Sequence, residues 1–333
     1  MKRSSALILI VIVSILTLVG CSTNKNNNDV ISKSANVKEV NEIVKETDKI
    51  SVVVSIFPQY DFTRAIVGDK ADLTMLIKPG AESHSFDPSP ADIIKIQNAD
   101  AFIYIGGENE KWVETILESM DTSSKKVIRL MDYVNIVEEE IVEGMEDFHD
   151  HDHDHDKHEE YDEHIWTSPK NAILMINAIA KELADIDPKN AMEYKQNADE
   201  YISQIKEVDT EIRTIVNSSE DKLIVVGDRF PFRYFVDEYG LDYRAAFSAC
   251  STESEASAGT IAYLIDTINE HNLTHVYYIE LSNQNIARII SEQTGAEMLL
   301  LHSAHNVTRD DFEAGINYLS IIKQNAENLR KGL

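Results

Sequence analysis

This sequence predicts an α/β fold in two lobes, each with a mainly parallel sheet flanked by helices, joined by one long rigid helix. Three observations carry that expectation. Short β-branched runs, too apolar to alternate, recur in both halves of the chain and read as strands buried on both faces of a parallel sheet. Segments with apolar residues at helical spacing lie between those runs. From Pro188 to Val216 there is no Gly and no further Pro. An unbroken helix there would reach about 44 Å at 1.5 Å per residue, long enough to join two lobes.

In chain order, residues 1–20 come first, with Lys2 and Arg3 ahead of an apolar run over 6–19. That run is shorter than the about 20 residues a bilayer span needs, and small Gly20 follows, so the segment reads as a secretion signal. Leu18-Val19-Gly20-Cys21 resembles the lipobox of bacterial lipoproteins, in which the cysteine carries lipid and holds the chain at a membrane surface. The only other cysteine is Cys250, so a lipidated Cys21 leaves no intramolecular disulfide. Residues 21–48 are polar and read as a flexible tether.

The first lobe is expected over 49–186, with strands at 51–57, 73–77 and 101–105 and a helix carrying Ile93, Ile94 and Ile96. Ser168-Pro169 supplies an N-cap and a first-turn proline to a second helix, with Ile173, Ile176, Ile179 and Leu183 on one face. The linking helix is placed over 187–217, opening at Asp187-Pro188. The second lobe, 218–333, carries strands at 223–226, 276–279 and 298–301 and a helix bearing Ile286, Ile289 and Ile290. Composition agrees with a globular body. With 43% hydrophobic residues, 12 Gly and 7 Pro, the chain is neither collagen-like nor wholly disordered. Its 31 basic and 58 acidic side chains give a net charge of −27, which argues against nucleic acid as a partner.

Two features point to metal chemistry. Within the low-complexity loop 148–164 stand His149, His151, His153, His155 and His158, alternating in part with Asp152, Asp154 and Asp156. Imidazole suits zinc and similar borderline ions, and an unfolded tract pays ordering entropy on binding, so this loop reads as a weak, fast-exchanging collector. A tight site needs ligands on rigid elements. In open parallel sheets those positions are the carboxyl ends of strands, and three runs end there in a donor: Asp228, Glu280 and His302. In the first lobe, the turn Lys78-Pro79-Gly80 leads to His84, and His164 lies between the acidic loop and the Ser168 cap. Two histidines from one lobe facing a carboxylate from the other would close around one cation in the cleft between the lobes. Glu280 ends an apolar strand and therefore needs a cation or hydrogen bonds. Asp228 has a second reading as the ion-pair partner of Arg229 or Arg233.

The same residues resemble a known family, the metal-binding lipoproteins of bacterial ABC importers for zinc and manganese, of the ZnuA/TroA/PsaA type. Its markers here are Ser55-Ile56-Phe57-Pro58, Pro79-Gly80 through His84 to Pro88-Ser89-Pro90, and Asp162-Glu163-His164-Ile165-Trp166 before Ser168-Pro169. Asp187-Pro188 with Tyr194 and Asn197 follows, then Tyr234-Phe235 with Tyr239-Gly240-Leu241, then Ile279-Glu280 and Glu292-Gln293-Thr294-Gly295-Ala296. The resemblance implies a metal between the lobes, with His84 and His164 as first-lobe ligands and Glu280 as a second-lobe ligand. The family's remaining ligand falls on Arg229, and an arginine cannot ligate a cation. Asp228 is taken in its place, with His302 and His305 as alternatives. Two carboxylates lean toward manganese, whereas the His-rich loop, like that of many zinc-specific members, points to zinc, which is preferred.

The resulting expectation is an extracytoplasmic, lipid-anchored, monomeric receptor that captures zinc and delivers it to a membrane ABC permease, with manganese as the alternative ion. A surface adhesin or passive metal buffer would share the site. A zinc hydrolase is disfavoured. The nearest approach to His-Glu-x-x-His, at His158-Glu159-Glu160-Tyr161, has Asp162 where the second His belongs. Gly-x-Ser-x-Gly is absent, and neither cysteine has a local His partner, so the chain is not expected to be an enzyme.

Overall fold

The computed structural model describes residues 49–81, 86–145, 161–251 and 255–333. Cys21, His84 and the five histidines of the acidic loop lie outside the described residues.

Among the described residues, eight strands form two four-stranded sheets, and every pairing in them is parallel. The first holds β1 (Ile50–Val54), β2 (Ala71–Met75), β3 (Ala101–Tyr104) and β4 (Lys126–Arg129) in the order β2-β1-β3-β4. The second holds β5 (Leu223–Arg229), β6 (Asp242–Phe247), β7 (His275–Tyr278) and β8 (Glu297–Leu300) in the order β6-β5-β7-β8. All six expected strands are present with ends shifted by a few residues. The largest shift in the first lobe is at 55–57, which leaves the sheet because Pro58 opens a helix. β4 and β6 were not expected. Both are sheet edges, where one side faces solvent, and KVIR and DYRAAF carry charges that break the apolar run.

Helices connect the strands: α1 (Phe57–Val67), α2 (Pro90–Asn98) and α3 (Lys111–Ser119) in the first sheet's half, and α6 (Arg233–Tyr239), α7 (Ala258–Glu270) and α8 (Asn285–Thr294) in the second's. Between the halves run α4 (Pro169–Ile186) and α5 (Ala191–Ser218), and α9 (Arg309–Glu313) and α10 (Tyr318–Gly332) end the chain. Ser168 caps α4 as expected, its hydroxyl accepting from the Asn171 N–H at 3.1 Å. Such a cap contributes about 1 kcal/mol.

The long helix begins at Ala191, later than expected, because 187–190 close a turn first. The Asp187 carboxylate takes the Asn190 amide at 2.7 Å and the Tyr194 hydroxyl at 2.6 Å. Its 28 residues span about 42 Å. Along that length α5 is packed against α1, α4 and α10. Tyr201 donates to Asp61 on α1 at 2.6 Å, and the Leu319 N–H of α10 donates to Tyr201 at 3.3 Å. One apolar cluster runs continuously from Val52 and Ile103 through Ile205 and Ile212 to Val226 and Leu329, so the two sheets share a core. No described helix is long and apolar enough to cross a membrane.

Candidate metal centre

Strand order 2-1-3-4 makes successive connections leave in opposite directions from the middle of each sheet. The crevice this opens lies beyond the carboxyl ends of β1 and β3, and again beyond β5 and β7. In the second sheet those ends are Arg229 and the pair Ile279-Glu280. Both line a small cavity with Ala81 and His164 from the first lobe and Ser303, His305 and Asn306 from the loop after β8. Its volume is about 70 Å³. A water occupies about 30 Å³ and organic ligands need roughly 300 Å³ or more, so this space suits an ion and not a metabolite.

His164 is fully buried at the start of the 3-10 turn Ile165–Thr167. Asp162 fixes it twice: one carboxylate oxygen takes the His164 backbone N–H at 2.7 Å and lies 3.1 Å from ring Nδ1. A carboxylate on Nδ1 makes Nε2 the nitrogen available to a metal. Burial alone would depress the His164 pKa, but Asp162, then Glu163 and Glu139, outweigh it and hold it above the ordinary value. The Trp166 ring packs 5.3 Å from His164 and 5.1 Å from His305, and the two imidazoles meet edge to face at 5.3 Å. Trp166 is itself held across the lobes, its indole N–H donating to the Ser303 carbonyl at 2.8 Å.

Glu280 follows β7 directly. Its carboxylate accepts from the Ser303 N–H at 2.7 Å, the Ser303 hydroxyl, and the His305 N–H at 3.2 Å. These bonds fold the 303–305 turn around the carboxylate and bring His305 to the cavity. The backbone bends sharply to do so: Leu281 and Ala304 have φ of 59° each, a conformation that costs a residue with a Cβ roughly 1–2 kcal/mol. Asn306 then pins the first lobe's turn, donating to the Lys78 carbonyl at 3.1 Å and the Ala81 carbonyl at 2.8 Å. Ala81, at the end of that turn, therefore lines the cavity.

The other second-lobe candidates are placed differently. Asp228 does not line the cavity. Its carboxylate accepts from the Arg229 N–H at 2.9 Å, and burial pushes its pKa up against a hydrogen bond from Ser282. Arg233, one of its suggested ion-pair partners, pairs with Asp237 and Glu140 instead. His302 is buried and its Nδ1 accepts from the Ala304 N–H at 3.0 Å, which uses that lone pair inside the turn. Arg229 reaches the cavity, with Nη1 3.4 Å from the Ser251 carbonyl. Spacing in the sequence gave no signal for the supporting roles of Ser303 and Asn306, because each acts through a partner distant in the chain.

The chain is similar to several named proteins. Residues 52–332 match the family described as ZnuA, zinc-uptake complex component A periplasmic. The zinc-binding protein AdcA of Streptococcus pyogenes serotype M3 is 31% identical over 293 residues, covering 85% of this chain and 56% of the relative. The chain thus spans about half the length of that relative. The high-affinity zinc uptake system protein ZnuA of Bacillus subtilis is 32% identical over 288 residues, covering 86% of this chain and 88% of its own. The crystal structure of the Zn(II)-bound ZnuA-like domain of Streptococcus pneumoniae AdcA superposes with a TM-score of 0.71 at 27% identity, over 85% of this chain and 98% of that domain.

Proposed function

Because the chain belongs to the ZnuA family, we propose that it captures zinc outside the cytoplasm and delivers it to the permease of an ABC importer. The observation that carries this reading is the cavity in which His164 of one lobe faces Glu280 and His305 of the other. His164 Nε2, the Glu280 carboxylate and the His305 ring are assigned as ligands, and His84, outside the described residues, is proposed from the sequence as a further one. His305 takes the role that sequence reasoning gave to Asp228. The zinc is cargo, and no bond of a substrate is made or broken.

Wide opening of the cleft is not part of the cycle. A strap over 134–145 lies on the second lobe, the Ala249 N–H donating to Glu139 at 3.1 Å and the Val137 N–H to the Tyr234 hydroxyl at 3.2 Å. With the Trp166, Asn306 and Asp61 bonds, separation of the lobes would break several interactions worth about 1 kcal/mol each, besides dividing a common core. Release therefore works through the loops at the cavity mouth when the permease docks. In the sequence the acidic loop 148–164 runs up to His164. Its histidines are assigned weak collection of zinc, and Cys21 the lipid that keeps the protein at the membrane.

Zinc titration against a chromophoric chelator tests the reading. One tight equivalent and several weak ones are expected, zinc should displace manganese, and deletion of 148–158 should remove only the weak equivalents. His305→Ala should weaken the tight equivalent far more than Asp228→Ala. Absence of a tight equivalent from the intact chain would refute the proposal.

A further inference from the structure

The strand-end rule that locates Glu280 applies equally to β6, whose chain continues through Ser248 and Ala249 to Cys250. Ala249 lines the cavity. One donor atom from each of Glu163, His164 and Cys250 lies within 4.8 Å of the other two. Glu163 and His164 are buried and Cys250 is half-buried. The group is built and not incidental. Asn109 spans it, its backbone N–H reaching Glu163 at 3.1 Å and its side-chain amide donating both to Glu163 and, at 3.6 Å, to Cys250 Sγ. Gly107 makes room for it, since a Cβ there would collide with the Glu163 carboxylate.

We propose that Cys250 is a ligand of the captured ion, its sulfur joining His164, Glu280 and His305 as a further second-lobe donor. Glu163, its carboxylate held by Asn109, stays outside the coordination shell as a neighbouring negative charge. This rests on the reading of the cleft as a zinc site and deepens it by fixing the donor chemistry. Around a tetrahedral zinc, nitrogen and sulfur ligands stand about 3.5 Å apart, so a small inward movement of the 248–251 loop completes the contact. On binding, the thiol proton leaves to solvent and the thiolate bonds to zinc, with no change of oxidation state. A sulfur donor selects zinc over manganese, which prefers oxygen. The ion-pairing donor set and the selectivity thus come from the same residues.

Cobalt(II) substitution reports the bond directly. In the full chain carrying Cys21→Ser, Cys250 is the sole thiol. One bound cobalt should show sulfur-to-cobalt charge-transfer absorption in the near ultraviolet. Cys250→Ser should abolish that absorption, retain cobalt through the histidines and Glu280, and weaken zinc at least about ten-fold. Should the serine variant misfold by circular dichroism, Cys250→Ala and protection of the wild-type thiol from iodoacetamide by one equivalent of zinc take its place. One tightly bound cobalt without charge-transfer absorption, or alkylation at equal rates with and without zinc, would overturn the thiolate assignment while leaving the cleft reading intact. A chain that takes up no cobalt or zinc would instead refute the cleft reading beneath it.

Discussion

The two sheets have the same strand order and so the same crevice beyond their central strands, yet the crevices are finished differently. In the first, buried side chains turn back onto the strand ends. Gln59 accepts the Ile56 N–H at 2.7 Å, and Glu110 accepts the Ile105 and Gly106 N–H groups at 2.6 and 2.8 Å. In the second, Glu280 ignores its own strand and reaches across to the 303–305 turn, leaving the crevice open beside Arg229 and His305. Topology supplies the crevice, and side-chain capping decides whether it becomes a plug or a site. The first lobe's proposed donor, His164, accordingly lies outside its sheet, at the turn before α4.

Breaking the open side gives the largest expected effect. Glu280→Ala removes both a charged ligand and the acceptor that folds the 303–305 turn, so zinc affinity should fall about 1,000-fold, close to 4 kcal/mol. Chelator competition measures it, and an unchanged affinity would take Glu280 out of the site.

The plugged side is tested through pH. Burial raises the Glu110 pKa to about 7 from an ordinary 4.5. A group whose folded pKa is raised contributes stability below its unfolded pKa, and that contribution is lost as pH rises through the folded one. The window here is pH 4.5 to 7, and the loss is about 3 kcal/mol. Urea unfolding should therefore show the protein more stable near pH 5 than near pH 7.5, with Glu110→Gln flattening that difference. Parallel pH profiles for the two proteins would remove Glu110 as the cause.

The smallest effect sharpens the link between the lobes. Trp166→Phe keeps a ring against both imidazoles but leaves the buried Ser303 carbonyl without its donor, a loss of about 1 kcal/mol. Zinc affinity should drop several-fold while the fold persists, as judged by circular dichroism. A drop as large as that of Glu280→Ala would mean that Trp166 does more than orient its neighbours.

Much of this was legible in the sequence, for physical reasons that also explain what was not. Central strands announce themselves because both faces are buried, so the runs around Val53, Phe102 and Val225 read clearly. Edge strands β4 and β6 carry Lys126, Arg129 and Arg244, each half-buried, and these charges broke the pattern. Glu280 was legible as a carboxylate that an apolar strand end must satisfy. His305 was one of three alternatives to a histidine replaced by Arg229, and only the turn geometry separates it from Asp228 and His302. Cys250 followed the same strand-end logic, but its strand had not been recognised. Asn306 and Ser303 act through residues far away in the chain, which no local pattern encodes.

In the proposed receptor, one zinc ion is held between the lobes by His164, Glu280 and His305. Anomalous diffraction at the zinc edge from crystals of the zinc-loaded protein tests it most directly. One fully occupied ion within about 2.3 Å of His164 Nε2, the Glu280 carboxylate and the His305 ring is the expected result. A fully occupied ion elsewhere, with those three side chains uncoordinated, would contradict the account.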